Sequence, residues 1–231
     1  MFAIKKLALA AAGTAMVAFG STGEAQAISF SEPPDAGQTL GNARVLTGTP
    51  GTSITSISGR LGGAADLFQF YSPGGLFSAT TVGQPGTLDD TQLFLFNSAG
   101  FGLLANDDAS GTRRSTISTT LSAGLYFLGI SSYDYDPVSR GPGVRLREIF
   151  PDPPYAELNG PTGFGGSRPL ETWRGEIYGS GTYTIALSGA QVVGVPEPAS
   201  VMGLLAFGAL GAASFRQRKQ SKQAVEVPVE S

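Results

Sequence analysis

The chain has 231 residues, a net charge of −3 and neither cysteine nor histidine. Those two absences exclude a Ser–His–Asp triad, a cysteine nucleophile, disulfides and an ordinary zinc site, leaving carboxylate chemistry, oxygen-ligated metals and binding. Between residues 28 and 195 there are nine arginines, no lysine and fourteen carboxylates, hence a charge of −5 without a basic stripe, which argues against nucleic acid as a partner.

At the N-terminus, Lys5 and Lys6 precede an apolar stretch from Leu7 to Phe19, and Ala25-Gln26-Ala27 puts small residues around a cut. That layout predicts a secretory signal peptide over residues 1–27, removed by signal peptidase, with the mature chain starting near Ile28. The apolar region is short for a retained anchor. The exported part, residues 28–194, is enough for one domain of ordinary size.

Its strand signals are short and separated by turns. "DLFQFYSPGG" puts Phe68 and Phe70 on one face of a strand that stops at Pro73-Gly74-Gly75. "TQLFLFNSAGFG" is apolar on both faces through Leu93, Phe94, Leu95 and Phe96, as a central strand would be, and turns at Asn97 to Gly100. "STISTTLSAGLYFLGISS" reads as an alternating strand through Ile117 and Leu121, a turn at Ala123-Gly124, and a second strand through Leu125, Phe127 and Ile130. "GTYTIALSGAQVV" closes the domain with Tyr183, Ile185 and Leu187 inward. Without an amphipathic helix among them, these segments predict an all-β fold, an antiparallel jelly-roll-type β-sandwich.

The order Asp66-x-Phe-x-Phe70, Asp90-Thr-Gln-Leu-Phe-Leu-Phe96, Gly100, Asn106-Asp107-Asp108 and Ala123-Gly124-x-Tyr126 resembles the bacterial pre-peptidase C-terminal (PPC) domain. The resemblance covers about residues 60–133, with 176–193 rejoining after a Pro/Gly-rich insertion at 137–175. PPC domains are small β-sandwiches appended to secreted proteases and surface proteins. They act as binding or maturation modules without catalytic residues, so the resemblance implies that this chain is not an enzyme.

Two groups of residues could carry chemistry. From residue 66 to 136 every acid is Asp, and short carboxylates on loops are the ligand type calcium uses. Asp66, Asp90, Asp107 and Asp108, which the resemblance places on turns bordering the paired strands, are the candidate calcium ligands. The same residues also suit plain turn formation, because Asp bonds its own backbone. A third use is the carboxylate pair of a glycan hydrolase. The second group lies in the insertion, where Tyr155, Phe164 and Trp173 stand among Arg147, Arg168 and Arg174. Aromatic faces beside polar donors suit stacking on sugar rings; the alternative is that the three aromatics pin the loop over the sandwich edge.

The C-terminus carries the sharpest signal. The run from Ala199 to Phe215 has no charge and would make a helix of roughly 25 Å, close to a bilayer core of about 30 Å. Its large apolar residues leave no polar face, and it stops at Arg216, Arg218, Lys219 and Lys222, which favour the cytoplasmic side. Pro196-Glu197-Pro198, the apolar run and the basic cluster, in that order, closely resemble the PEP-CTERM sorting signal of Gram-negative bacteria and cyanobacteria. The resemblance spans 195–222, with a transmembrane helix at 199–215. It departs from the usual pattern in an extra tail from Gln220, of which 223–231 lie beyond the signal. It implies recognition by an exosortase, an integral-membrane transpeptidase-like enzyme that cuts near the motif.

The expectation is a non-catalytic protein of the cell envelope, outer surface or extracellular matrix that binds or organises exopolysaccharide. Its precursor crosses the inner membrane once, with the C-terminus cytoplasmic. A secreted carboxylate-dependent glycan hydrolase and a purely structural surface subunit stand as alternatives.

Overall fold

The computed structural model describes residues 27–32, 35–141, 143, 145–151 and 157–194. The signal peptide, the sorting motif with its apolar run, the basic cluster, the tail and Tyr155 lie outside the described residues. Among the described residues, no helix is long and apolar enough to cross a membrane.

The chain opens with β1 (Ala27–Ser31), the two-residue strands β2 (Arg44–Val45) and β3 (Thr47–Gly48), and the long β4 (Ser53–Leu61). Next come β5 (Asp66–Ser72), β6 (Gly75–Thr80), β7 (Thr91–Asn97), β8 (Gly102–Asn106), β9 (Thr116–Leu121) and β10 (Gly124–Ser132). The insertion supplies β11 (Tyr135–Arg140), β12 (Leu146–Glu148), the one-turn α1 (Gly163–Gly166) and β13 (Thr172–Gly175). The chain returns through β14 (Gly181–Ser188) and β15 (Val193–Gly194).

Two five-stranded sheets form the sandwich, in the orders β1-β4-β14-β6-β9 and β2-β5-β10-β7-β8. From β4 to β10 the chain changes sheet at nearly every step, and only β7 and β8 follow one another as a hairpin in one sheet. The crossing between β5 and β6 falls where the sequence signalled a stop. Gly74 and Gly75 there have φ of 94° and 100°, a region that side chains disfavour. Two edge pairings depart from the expected antiparallel pattern: β1 lies parallel to β4, and β2 parallel to β5.

Strand alternation builds the main core between the sheets. Phe68 and Phe70 from β5, Leu93 and Leu95 from β7, and Leu128 and Ile130 from β10 meet Ile54, Ile57, Phe77, Ile117, Tyr183 and Ile185 from the other sheet. The opposite faces of β7 and β10 are mostly covered rather than open to water. Phe94, Phe96 and Phe127 enter a second core with Ile149, Phe150, Leu170 and Trp173 of the insertion. This is why β7 is apolar on both faces although it stands beside the central β10 rather than at the centre. It also separates Ile130, in the main core, from Phe127, whereas Leu125 is 37% exposed.

The insertion is not the structureless loop its Pro and Gly content suggested. β11 is the middle of a three-stranded sheet, β12-β11-β13, and its register sets Pro137 opposite Trp173 and Asp136 opposite Arg174. Trp173 lies against Gly129 of β10, where an added Cβ would come within 2.9 Å of the indole. The indole packs edge-on to Phe94 at 5.2 Å, stacks on Tyr135 at 6.4 Å and donates from Nε1 to the Gln38 carbonyl.

Candidate functional site

The four aspartates proposed as one calcium site fall into two clusters. Asp90, Asp107 and Asp108 each bring a carboxylate oxygen within 4.8 Å of the others, whereas Asp66 forms such a group with Glu32 and Asp35. The single four-aspartate site is therefore corrected to two places. The reason lies in the topology: Asp66 opens β5 with its side chain turned into the sandwich, while the other three border β7, β8 and β9 on loops.

The first cluster is built from three strands. Glu32 follows β1, Asp66 begins β5, and Tyr183 of β14 stands between them. The Tyr183 hydroxyl lies 2.7 Å from Asp66 Oδ2 and 3.0 Å from Glu32 Oε2. Glu32 Oε1 accepts from the Ala36 amide, which holds the chain leading past Asp35. Gly59 of β4 makes the room. A Cβ there would stand 2.1 Å from Glu32 Oε2 and 2.4 Å from the tyrosine hydroxyl, so only glycine leaves this cradle open. Asp66 is 1% exposed, yet its Oδ1 has no hydrogen-bond partner. Burial raises its pKa well above the ordinary carboxylate range, and the charges of Glu32 and Asp35 add to this against the Tyr183 hydrogen bond. The Tyr183 phenol is pushed up too, mainly by burial and then by Asp66, so it stays a donor.

A buried carboxylate with an orphaned oxygen beside two other acids has two relaxed states: protonated, or neutralised by a cation. Calcium fits the donors on hand, all of them oxygens, with carbonyls and water to complete six to eight ligands. Glu32, Asp35 and Asp66 would hold it. The sequence reading missed Glu32 and Asp35 because they lie about thirty residues upstream of Asp66. The small residue at 59 and the inward Tyr183 were the available signs.

The second cluster rests on a buried hydroxyl network. Thr81 and Thr91 lie 2.7 Å apart through their hydroxyls, Thr91 and Ser115 2.9 Å, and the Ser115 amide donates to Thr81 at 3.0 Å. This ties the segment ending at Asp90 to the one that follows Asp108. Asn106 fastens the second segment by donating to the Asp108 and Glu157 carbonyls and accepting from the Thr116 amide at 2.7 Å. Asp107 is pushed up to about 7, first by burial and then by Asp108, Asp90, Asp136 and Asp134. Asp90 is raised by burial and by Asp108, with Arg113 opposing. The Arg113–Asp90 contact is 3.7 Å with the arginine 77% exposed, so it offsets little of this repulsion. An open hollow of about 750 Å³ borders these acids, walled partly by Tyr133 and Tyr178.

The three aromatics of the insertion are not gathered in one place. Trp173 is 5% exposed, with its ring in the second core and its N–H bonded to the Gln38 carbonyl, so it has no free face for a sugar. Phe164 is 42% exposed on α1, with the Arg168 guanidinium 4.8 Å from its ring centre. It lines a cleft of about 850 Å³ together with Arg147 and Arg174.

Residues 194–219 match the PEP-CTERM protein-sorting motif, which contains Pro196, Glu197 and Pro198. This implies an exported protein processed by an exosortase. No curated protein matches the chain in sequence. Among solved structures, the pre-peptidase C-terminal domain of collagenase from Bacillus anthracis aligns at 13% identity and a TM-score of 0.31, over 71% of this chain and 95% of that one. It is a domain of the kind that the strand motifs resemble.

Proposed function

We propose that the protein is a non-catalytic component of the cell surface or extracellular matrix, whose calcium-braced sandwich binds extracellular polysaccharide. The observation that carries this reading is where the sorting motif begins. It starts at Gly194, the last residue of β15, so the whole folded unit precedes the signal. An apolar span followed by a basic cluster would leave that unit outside the cytoplasm. Calcium binding is supported by the orphaned Asp66 oxygen and by the cradle at Gly59.

A second reading, a glycan hydrolase, draws on Asp107. A carboxyl held near 7 beside two other carboxylates has the protonation state of a general acid at neutral pH.

Purified full-length protein in detergent, incubated with extracellular polysaccharides in calcium or in chelator, separates these readings. Retention on the polymer without release of new reducing ends supports the binding reading. Release of reducing ends that disappears in Asp107→Asn supports the hydrolase. Neither retention nor release leaves a structural surface subunit.

A further inference from the structure

We propose that the polysaccharide site is the cleft between α1 and the β12-β11-β13 sheet, and that its ligand is an uncharged hexose polymer. This deepens the glycan-binding reading above and rests on it.

The cleft holds about 850 Å³, within the range of small-ligand sites. Phe164 is its aromatic platform. The ring lies where a Cβ on Gly141 would come within 3.3 Å of it, so the glycine lets the phenyl sit down on β11's end. Arg168 above the ring is itself exposed and can swing aside for the apolar C–H face of a pyranose.

The polar lining gives the charge of the ligand. Arg147 and Arg174 are exposed, and among the described residues neither side chain makes an ion pair or hydrogen bond, although Asp134, Glu148 and Asp136, which already accepts from Gln92 Nε2, line the same cleft. Guanidinium forks donate and carboxylates accept, so the cleft offers both halves of the bonding that vicinal hydroxyls seek. With Arg168 at its edge, positive and negative groups balance, three against three. The rest of residues 28–195 carries excess acid, since the whole stretch has a charge of −5. A polyuronate would meet that field as repulsion, and a polyamine would find guanidiniums in its way. A neutral polymer meets neither penalty.

The test uses full-length protein in detergent micelles and measures binding to dextran and mannan, which are neutral, and to alginate, a polyuronate. Binding to a neutral polymer is expected to weaken about two- to twelvefold in Phe164→Ala, the range given by about 0.5–1.5 kcal/mol of aromatic contact. It should weaken further in Arg147→Ala with Arg174→Ala, while Leu76→Ala, exposed on β6 and outside the cleft, changes nothing. All four positions are exposed, and equal melting midpoints would show that the variants fold. Neutral-polymer binding that ignores Phe164, Arg147 and Arg174 overturns the site but leaves the glycan reading standing. Preference for alginate overturns the neutral ligand. Binding to none of these polymers or to native matrix polysaccharide overturns both this proposal and the reading beneath it.

Discussion

Tyr183 on β14 reaches across the sandwich to Asp66 on β5, its hydroxyl oxygen 2.7 Å from Oδ2. The contact ties the two sheets through buried polar atoms, beside the Glu32 carboxylate that also meets the tyrosine hydroxyl. The other carboxylate oxygen, Oδ1, is buried with no hydrogen-bond partner.

Tyr183→Phe keeps the packing and removes the hydroxyl. Two buried carboxylate oxygens are then unpaired instead of one, a loss of about 1–3 kcal/mol. For a domain of this size the melting midpoint in chelator should fall by about 2–4 °C per kcal/mol. An unchanged midpoint in a thermal melt would show that Asp66 is satisfied without Tyr183.

Trp173 supports a different surface. Removing its ring in Trp173→Ala opens a void between β10 and the insertion and should cost about 3–5 kcal/mol. The loss should be local first, because Trp173 joins the insertion to the outer face of one sheet and not the two sheets to each other. Limited proteolysis should therefore cut within 137–175 before the sandwich opens. Cleavage spread evenly along the chain would mean that the insertion and the sandwich unfold as one.

The strands were legible because half-buried strands alternate: Phe68 with Phe70 and Tyr183 with Ile185 all landed inward. The insertion was not, because its strands are three to six residues long, carry Pro137 and charges, and bury one face only through distant partners such as Gln38 and Gly129. The acidic positions were visible as ligand types, but their grouping was not. Sequence spacing puts Asp66 nearest to Asp89 and Asp90, while the fold carries it to Glu32 on the far side of β4. The parallel pairing of β1 that brings Glu32 there has no local sequence signature.

The pH dependence follows from Asp107. Its folded value of about 7 is above its ordinary 3.8, so between those limits the folded state holds a proton that the unfolded chain has released. Stability is then full below about pH 4 and declines as pH rises towards 7. Asp66, raised in the same direction, adds to the decline. Denaturant titrations in chelator across this window should show the fall, and Asp107→Asn should make it shallower. A stability that climbs with pH through the window would contradict the raised values.

Sorting should separate from insertion. Reporter fusions after Gly194 are expected outside the cytoplasm and fusions after Lys222 inside, since the apolar run and the basic cluster set the topology. Replacing Pro196, Glu197 and Pro198 together should leave that topology intact and block processing. Unchanged processing of the triple variant would remove the exosortase from the account; identical reporter sides would remove the span.

Calcium should act through Asp66, and the two acidic clusters allow this to be checked separately. A bound ion stabilises the folded state by RT ln(1 + [L]/Kd), so about 100-fold excess over Kd adds roughly 2.7 kcal/mol. The melting midpoint of the full-length protein should rise by about 5–10 °C over that in chelator. Asp66→Asn keeps the shape of the side chain but removes its charge, and should abolish the difference. Gly59→Ala should do the same by filling the cradle shared by Glu32 and Tyr183. Asp107→Asn with Asp108→Asn leaves Glu32, Asp35 and Asp66 in place and should keep the difference. Magnesium should replace calcium poorly, because its smaller shell demands near-octahedral geometry and holds its water. If the difference survives Asp66→Asn and vanishes in the Asp107 and Asp108 variant, the ion belongs to the loop cluster; if no variant matters because calcium never moved the midpoint, Asp66 is a buried acid that folds protonated.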